Sequence, residues 1–310
     1  MKRAVILMVA VVTLVTAGAS AQRTFRSSVD LVHFAVAVTD KQGQPIPGLT
    51  ADDFEIVEEG KAQTIKFFAA GTAAADDLPL HVGLMLDTSG SMELDIKDAR
   101  TAVIKFLNTV ERVADFTLVD FDTEVRVARY GPSDFARLIE RIRMRKPGGW
   151  TALYDALGTY LNGASEMTGQ KVLIMYTDGG DTRSSLSLSQ LIDMLRISDV
   201  TVYSIGYLEN QSSSARHDQR MQLQRLSGMT GGEAFFPSSG KELDSIYERI
   251  QKEIASRYSL GYTSTDVRND GKWREVKIRV KRPELKGLKI RTRDGYFAPM
   301  RDSSQTSRQP

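Results

Sequence analysis

The pattern of apolar and polar positions is most regular between residues 80 and 258. Short apolar runs there alternate with segments whose apolar positions recur at helical spacing. Leu80 to Leu86 is apolar on both faces, as in a central parallel strand covered on each side. This alternation predicts a doubly wound, mostly parallel α/β sheet. The predicted strands are 80–86, 116–121, 124–129, 172–176, 200–205 and 234–236, and the predicted helices include 99–110, 152–167, 188–195, 223–229 and 241–256.

Strand-like segments flank this region on both sides. The patterns at 31–39, 54–57 and 64–68 precede it, and those at 258–262, 275–280 and 288–292 follow it. Each flank is short for burying a core alone. We therefore expect the two flanks to form one β-sandwich with the α/β domain inserted between them; two independent β modules are the alternative. The expected organisation is an N-terminal β segment (22–77), an α/β domain (78–258), a C-terminal β segment (259–300) and a disordered tail (301–310).

The first 21 residues have the pattern of a secretory signal. Lys2 and Arg3 form a positive start, residues 4–17 are apolar, and Ala19-Ser20-Ala21 is a small-residue cleavage pattern. The apolar run is shorter than the ~20 residues of a spanning helix, so cleavage before Gln22 is favoured over a retained anchor. The sequence thus predicts an exported protein, periplasmic or extracellular.

The amino-acid composition limits the kinds of ligand and metal that the protein can bind. The chain has 310 residues, with 41 Lys plus Arg against 39 Asp plus Glu, so its overall charge does not suggest a nucleic-acid-binding protein. It has no Cys and three His that lie far apart in sequence, so any metal should be a hard cation held by oxygen. Residues 257–310 are basic. Basic residues in a strand-rich segment are typical of the solvated face of an amphipathic strand. The alternative is that this segment makes peripheral contact with an anionic envelope surface.

Three loops carry candidate metal chemistry. Asp87-Thr88-Ser89-Gly90-Ser91 follows the first strand of the α/β region, at the edge where ligands of open sheets bind. Residues 148–153 precede a predicted helix, and residues 177–181 follow another buried strand. One carboxylate and two hydroxyls at alternate positions of a loop can converge as hard donors suited to Mg²⁺. Alternatively, the first loop is a Ser- and Gly-rich turn with Ser91 as a helix N-cap.

Together the three loops resemble the metal-ion-dependent adhesion site (MIDAS) of the von Willebrand factor type A (VWA) domain family. The resemblance covers about residues 78–258 and implies the Rossmann-like fold of that family. Trp150 departs from the family pattern, in which the threonine more often follows the paired glycines directly, and an extra residue can reshape that loop. The five matching positions are Asp87, Ser89, Ser91, Thr151 and Asp178.

The flanks resemble a bacterial secreted subfamily of VWA domains. The similar segments are Val38-Thr39-Asp40, the Leu49-Thr50-Ala51-Asp52-Asp53-Phe54 run and Arg293-Asp294-Gly295-Tyr296. In related domains the last helix is known as a switch. The resemblance therefore raises the hypothesis that the helix at 241–256 couples metal binding to the β segments.

By resemblance, Ser89 and Ser91 would bind the ion directly and Thr151 directly or through water. Asp87 and Asp178 would act largely through water and hydrogen bonds. With few charged ligands, the ion stays electron-poor and can accept an Asp or Glu carboxylate from a partner protein. The implied function is a non-enzymatic docking module that uses Mg²⁺, with Mn²⁺ or Ca²⁺ as alternatives.

Two other functions stay open on sequence grounds. A metal-assisted envelope hydrolase would need a general base, for which Asp181 and Asp122 are the candidates. A structural scaffold would use the metal only for stability. Ser89 lacks the G-x-S-x-G context of a hydrolase nucleophile, and the D-x-D pair at Asp120 departs from the phosphatase motif at Glu124. Asp181 is either an outer group of the metal site or an ordinary loop residue.

Overall fold

A computed structural model describes residues 31–71, 79–110 and 112–300. The predicted signal segment, the end of the predicted N-terminal β segment (72–77) and the predicted tail lie outside the described residues. No helix within the described residues is long and apolar enough to cross a membrane.

The strands are β1 (Val32–Thr39), β2 (Phe54–Glu58), β3 (Lys61–Gln63), β4 (Ile65–Ala70), β5 (Leu80–Asp87), β6 (Val113–Phe121), β7 (Val125–Tyr130), β8 (Gln170–Thr177), β9 (Thr201–Gly206), β10 (Ala234–Phe235), β11 (Tyr258–Tyr262), β12 (Trp273–Val280), β13 (Lys289–Arg291) and β14 (Gly295–Phe297). The α-helices are α1 (Ile96–Leu107), α2 (Phe135–Met144), α3 (Leu153–Ala164), α4 (Leu188–Ile197), α5 (Ser213–Met229) and α6 (Gly240–Ser256).

The central sheet has the strand order β10-β9-β8-β5-β6-β7. Its neighbours pair in parallel except β7, which lies antiparallel to β6 at the edge. Every residue of β5 is buried, because Leu84 faces one apolar cluster with α1, α2 and α6, and Met85 faces a second with α3, α4 and α5. The predicted doubly wound α/β fold is confirmed.

The flanking strands form two four-stranded antiparallel sheets, in the orders β13-β1-β11-β4 and β14-β12-β2-β3. Each sheet combines strands from both ends of the chain: Phe34 pairs with Leu260, and Ile56 pairs with Ile278. These four side chains belong to one buried apolar cluster drawn from both sheets. The two flanks therefore share their sheets and their core, unlike two independent β modules.

Several elements differ from the sequence prediction. Helix α2 was not predicted because only Leu138 and Ile142 of its polar, Arg-rich sequence are buried. Strands β3 and β14, of three residues each, are too short to show a pattern. The helix predicted at 152–167 ends at Ala164, and α5 begins at Ser213, ten residues before its predicted part. Residues 58–61, between the strands predicted at 54–57 and 64–68, form a tight hairpin turn whose central Glu59 and Gly60 have φ of 46° and 79°.

Candidate metal site

The site begins where two neighbouring strands of the central sheet end. Strands β5 and β8 pair in parallel with Leu86 opposite Tyr176, so Asp87 and Thr177 reach the same edge. The Thr177 hydroxyl donates a hydrogen bond of 2.6 Å to Asp87 Oδ2. Thr177 was not singled out in the sequence, although it directly precedes Asp178. Parallel strand geometry therefore brings the first and third loops together.

The first loop folds back on Asp87. The Ser89 amide donates to Asp87 Oδ1 at 2.9 Å, and the Ser89 and Ser91 hydroxyl oxygens lie 3.1 Å apart. Residues Gly90–Met92 form a short 3-10 turn before α1, whose N-cap is Asp95. The alternative in which Ser91 caps the helix is therefore wrong. This turn instead holds the two serine hydroxyls side by side.

The third loop fixes Asp178 through both carboxylate oxygens. The Gly180 amide donates to Oδ1 at 2.9 Å, and the Gln211 side-chain amide donates to Oδ2 at 3.0 Å. Gly179 has a φ of 86°, which favours glycine and sets the tight turn. Gln211 lies 33 residues away in sequence, and no sequence motif pointed to it.

The second loop is fastened to the first through the backbone. The Gly90 amide donates to the Gly149 carbonyl at 3.1 Å, and the Gly148 amide donates to the Thr88 carbonyl at 2.9 Å. Thr151 is buried, and its amide donates to the Thr182 hydroxyl at 2.9 Å. The Thr151 hydroxyl makes no hydrogen bond with any residue in the described ranges. The structure thus places Thr151 in the adjoining loop without linking its side chain to the other four predicted residues.

The electrostatics of the site are dominated by two buried carboxylates. Asp87 is 0% exposed and Asp178 is 2% exposed. Burial, with a smaller contribution from the nearby Asp178 charge, raises the pKa of Asp87 to about 7, against the opposing hydrogen bonds from Ser89 and Thr177. No Lys or Arg among the described residues forms a salt bridge with either carboxylate. A divalent cation would supply the missing positive charge.

The donor set is of the hard-oxygen type. Within residues 31–71, 79–110 and 112–300, no group of three or more His, Cys, Asp or Glu side chains is placed to hold a metal. An ion at this edge would therefore depend on the hydroxyls of Ser89, Ser91 and Thr151 beside two carboxylates. Mg²⁺ accepts such a set because it prefers oxygen ligands and keeps several waters. The residues present fit the ion.

Asp181 is a structural residue of the third loop. Its Oδ1 accepts hydrogen bonds from the Ser184 hydroxyl at 2.6 Å and from the Tyr154 amide at 3.1 Å. Because Tyr154 lies in the first turn of α3, Asp181 ties this loop to the helix that follows Thr151. These contacts favour the loop interpretation over a direct role beside an ion.

Another pair of acidic residues, Asp120 and Asp122, forms salt bridges with arginines. Arg126 donates to Asp120 at 2.6 Å and to Asp122 at 2.7 Å, while Arg141 and Arg145 also contact Asp120. Asp120 is 3% exposed, so it is poorly placed to attack a substrate. The same region also supports the second loop of the candidate site, because the Ala152 amide donates to the Asp122 carbonyl at 2.9 Å.

Comparison with solved structures gives distant matches. One is a von Willebrand factor type A protein from Catenulispora acidiphila, with 16% identity, TM-score 0.46 and coverage of 92% of this chain and 78% of that one. Another is the vWF domain of the type V pili tip protein Mfa5 from Porphyromonas gingivalis, with 15% identity, TM-score 0.46 and coverage of 57% and 96%. Manganese-loaded TRAP protein of Plasmodium vivax gives 12% identity, TM-score 0.44 and coverage of 74% and 96%.

Sequence comparison is more decisive. No curated protein gives a significant match to this chain. A model of the von Willebrand factor type A domain family matches residues 81–249, more than half of the chain. The matched segment contains the central sheet from β5 to β10, most of α6 and all three loops of the candidate site. The chain therefore belongs to the von Willebrand factor type A domain family.

Proposed function

We propose that this protein is an exported, non-enzymatic binding module that docks a partner protein's Asp or Glu carboxylate through a divalent metal. The observation that carries the proposal is the pair of buried carboxylates, Asp87 and Asp178, which form no salt bridge with any Lys or Arg of the described residues and lie beside the two adjacent serine hydroxyls. VWA domains are generally binding modules, which agrees with this chemistry. Export is inferred from the signal pattern of residues 1–21.

We expect the carboxylates and the hydroxyls of the site to have different roles in holding an ion. Both oxygens of Asp87 and both oxygens of Asp178 already accept hydrogen bonds, so these groups can act largely through bonds to water and neighbours. The hydroxyls of Ser89, Ser91 and Thr151 are then the direct ligands. Bound Mg²⁺ would supply a Lewis-acidic positive charge to an incoming carboxylate. Mn²⁺ and Ca²⁺ are the alternative ions.

Among the described residues, no candidate general base for the hydrolase alternative is free and placed at the site. Asp122 is bound to Arg126, and Asp181 is bound to Tyr154 and Ser184. His81 lies near the start of β5, at the sheet edge opposite the site, and contacts Asp115 at 2.7 Å. These contacts favour docking over metal-assisted catalysis.

Calorimetric titration of residues 22–310 with Mg²⁺, Mn²⁺ and Ca²⁺ tests the metal site. Saturable binding is expected for the wild type and for Asp193→Asn, which changes an exposed carboxylate of α4. It should be lost in Asp178→Asn, because one of the two negative charges is removed. Equal binding by Asp178→Asn and the wild type would place the ion elsewhere and end the proposal.

A second measurement, of metal-dependent carboxylate binding, distinguishes the docking function from the scaffold alternative. A carboxylate ligand should bind to the metal-loaded protein and be released by EDTA. A large rise in melting temperature with Mg²⁺, without any metal-dependent carboxylate binding, would instead identify a structural ion.

A further inference from the structure

Trp150 is an exposed aromatic residue beside the candidate site. Its side chain is 64% exposed, although it directly precedes the buried Thr151. We propose that Trp150 is the apolar anchor of the docking surface and that the partner segment carries an apolar side chain next to its metal-binding carboxylate. This inference rests on the proposed function and specifies the partner's chemistry.

The backbone around Trp150 is firmly held. The Trp150 amide donates to the Thr123 hydroxyl at 2.9 Å, and the Ala152 amide, two residues later, donates to the Asp122 carbonyl. Gly149 has a φ of 76°, and a Cβ there would lie 2.5 Å from the Thr123 hydroxyl. The backbone that carries the indole is therefore fixed, so little backbone conformational entropy is lost when a partner covers it.

The neighbouring surface fits an acidic segment with apolar character. The Arg183 amide donates to the Thr151 carbonyl at 3.0 Å, and its exposed guanidinium forms no ion pair with any residue of the described ranges. The exposed Trp150 indole and this cation, which has no ion pair among the described residues, both lie next to Thr151 and match a segment that combines negative charge with apolar surface.

Physical chemistry favours a binding role for this tryptophan. An exposed indole in a rigid loop gains from removal of its apolar surface from water, and Trp is among the residues that dominate binding energy at interfaces. The metal contact alone recognises any accessible carboxylate. The indole adjacent to Thr151 would select among carboxylates by what lies beside them.

A displayed library of random seven-residue peptides tests the inference. The library is selected on the wild type in Mg²⁺ and eluted with EDTA. We expect peptides in which an Asp or Glu adjoins an apolar or aromatic residue. The same selection on Trp150→Ser should keep the acidic residue and lose the apolar preference, with binding of the wild-type peptides weakened about 10-fold or more.

The matched control is Ile197→Ser. Ile197 is 67% exposed at the end of α4, at the opposite edge of the sheet, and this variant should select the same peptides as the wild type. Acidic peptides without an apolar neighbour, or an unchanged preference in Trp150→Ser, would overturn the anchor and leave the docking proposal standing. Absence of any Mg²⁺-dependent acidic peptide would overturn the proposed function itself.

Fluorescence gives an independent readout. The chain has two tryptophans, so Trp273→Phe leaves Trp150 as the single reporter. With Mg²⁺, a selected peptide should shift the Trp150 emission to the blue and reduce its quenching by acrylamide. Peptide binding that leaves both signals unchanged would show that the indole stays in water, and the anchor role would be wrong.

Discussion

Replacing Asp87 by Asn should stabilise the metal-free protein at alkaline pH. Asp87 is fully buried, and the adjacent Asp178 charge opposes its ionisation. Asn has nearly the same shape and can still hydrogen-bond the Ser89 amide and the Thr177 hydroxyl. The substitution therefore removes a buried negative charge while leaving the loop in place.

The magnitude follows from the pKa of Asp87, which rises from 3.8 to about 7 on folding. The folded state keeps a proton that the unfolded state releases, so stability falls as the pH rises from the lower value through the higher one. The full effect corresponds to about 4 kcal/mol at 1.36 kcal/mol per pKa unit. About 3 kcal/mol of it should develop between pH 5 and pH 8, because the rest is already lost below pH 5.

Urea unfolding in EDTA measures this effect. The free energy of unfolding is determined at pH 5, 6, 7 and 8 for the wild type, Asp87→Asn and the control Asp193→Asn. The advantage of Asp87→Asn over the wild type should grow by about 3 kcal/mol across this range. Any constant effect of the amide on packing cancels, because only the change with pH is compared.

Saturating Mg²⁺ at pH 8 should reverse the order of the two proteins. The ion neutralises the buried charges in the wild type and stabilises it, whereas Asp87→Asn has lost a carboxylate that attracts the ion. Parallel pH profiles for the wild type and Asp87→Asn in EDTA would refute the reasoning, since they would show that Asp87 ionises in the folded protein as readily as in the unfolded chain.

Two further predictions concern packing outside the metal site. Glu253→Ala should lower the free energy of unfolding by about 3–5 kcal/mol in urea titrations, because it leaves the 4% exposed Arg257 without its carboxylate. A loss below about 1 kcal/mol would show that water reaches this pair. Gly232→Ala should cost about 3 kcal/mol or more, because its Cβ would lie only 1.9 Å from the Val202 carbonyl oxygen. Gly228→Ala, with open space around the new methyl group, should instead be neutral or stabilising by about 0.5–1 kcal/mol; similar melting temperatures for the two variants would contradict this difference.

The sequence by itself determined the α/β architecture and indicated five candidate residues for the site. Strand β5 is mostly apolar on both faces because both faces are covered, so consecutive apolar residues in the sequence indicate its burial. The first and third loops are contiguous segments that directly follow strands, so their places at the sheet edge follow from chain direction. Local periodicity and short motifs are sufficient for such features.

Only the tertiary structure decided the features that depend on distant parts of the chain. The pairing of Phe34 with Leu260, the hydrogen bond from Gln211 to Asp178 and the second-loop contact between Gly149 and Gly90 join segments that share no local pattern. The raised pKa of Asp87 likewise requires a buried site shared with Asp178, and no spacing of residues reveals that burial. These properties arise from long-range packing, whose free energy depends on which surfaces meet and not on the residues adjacent in sequence.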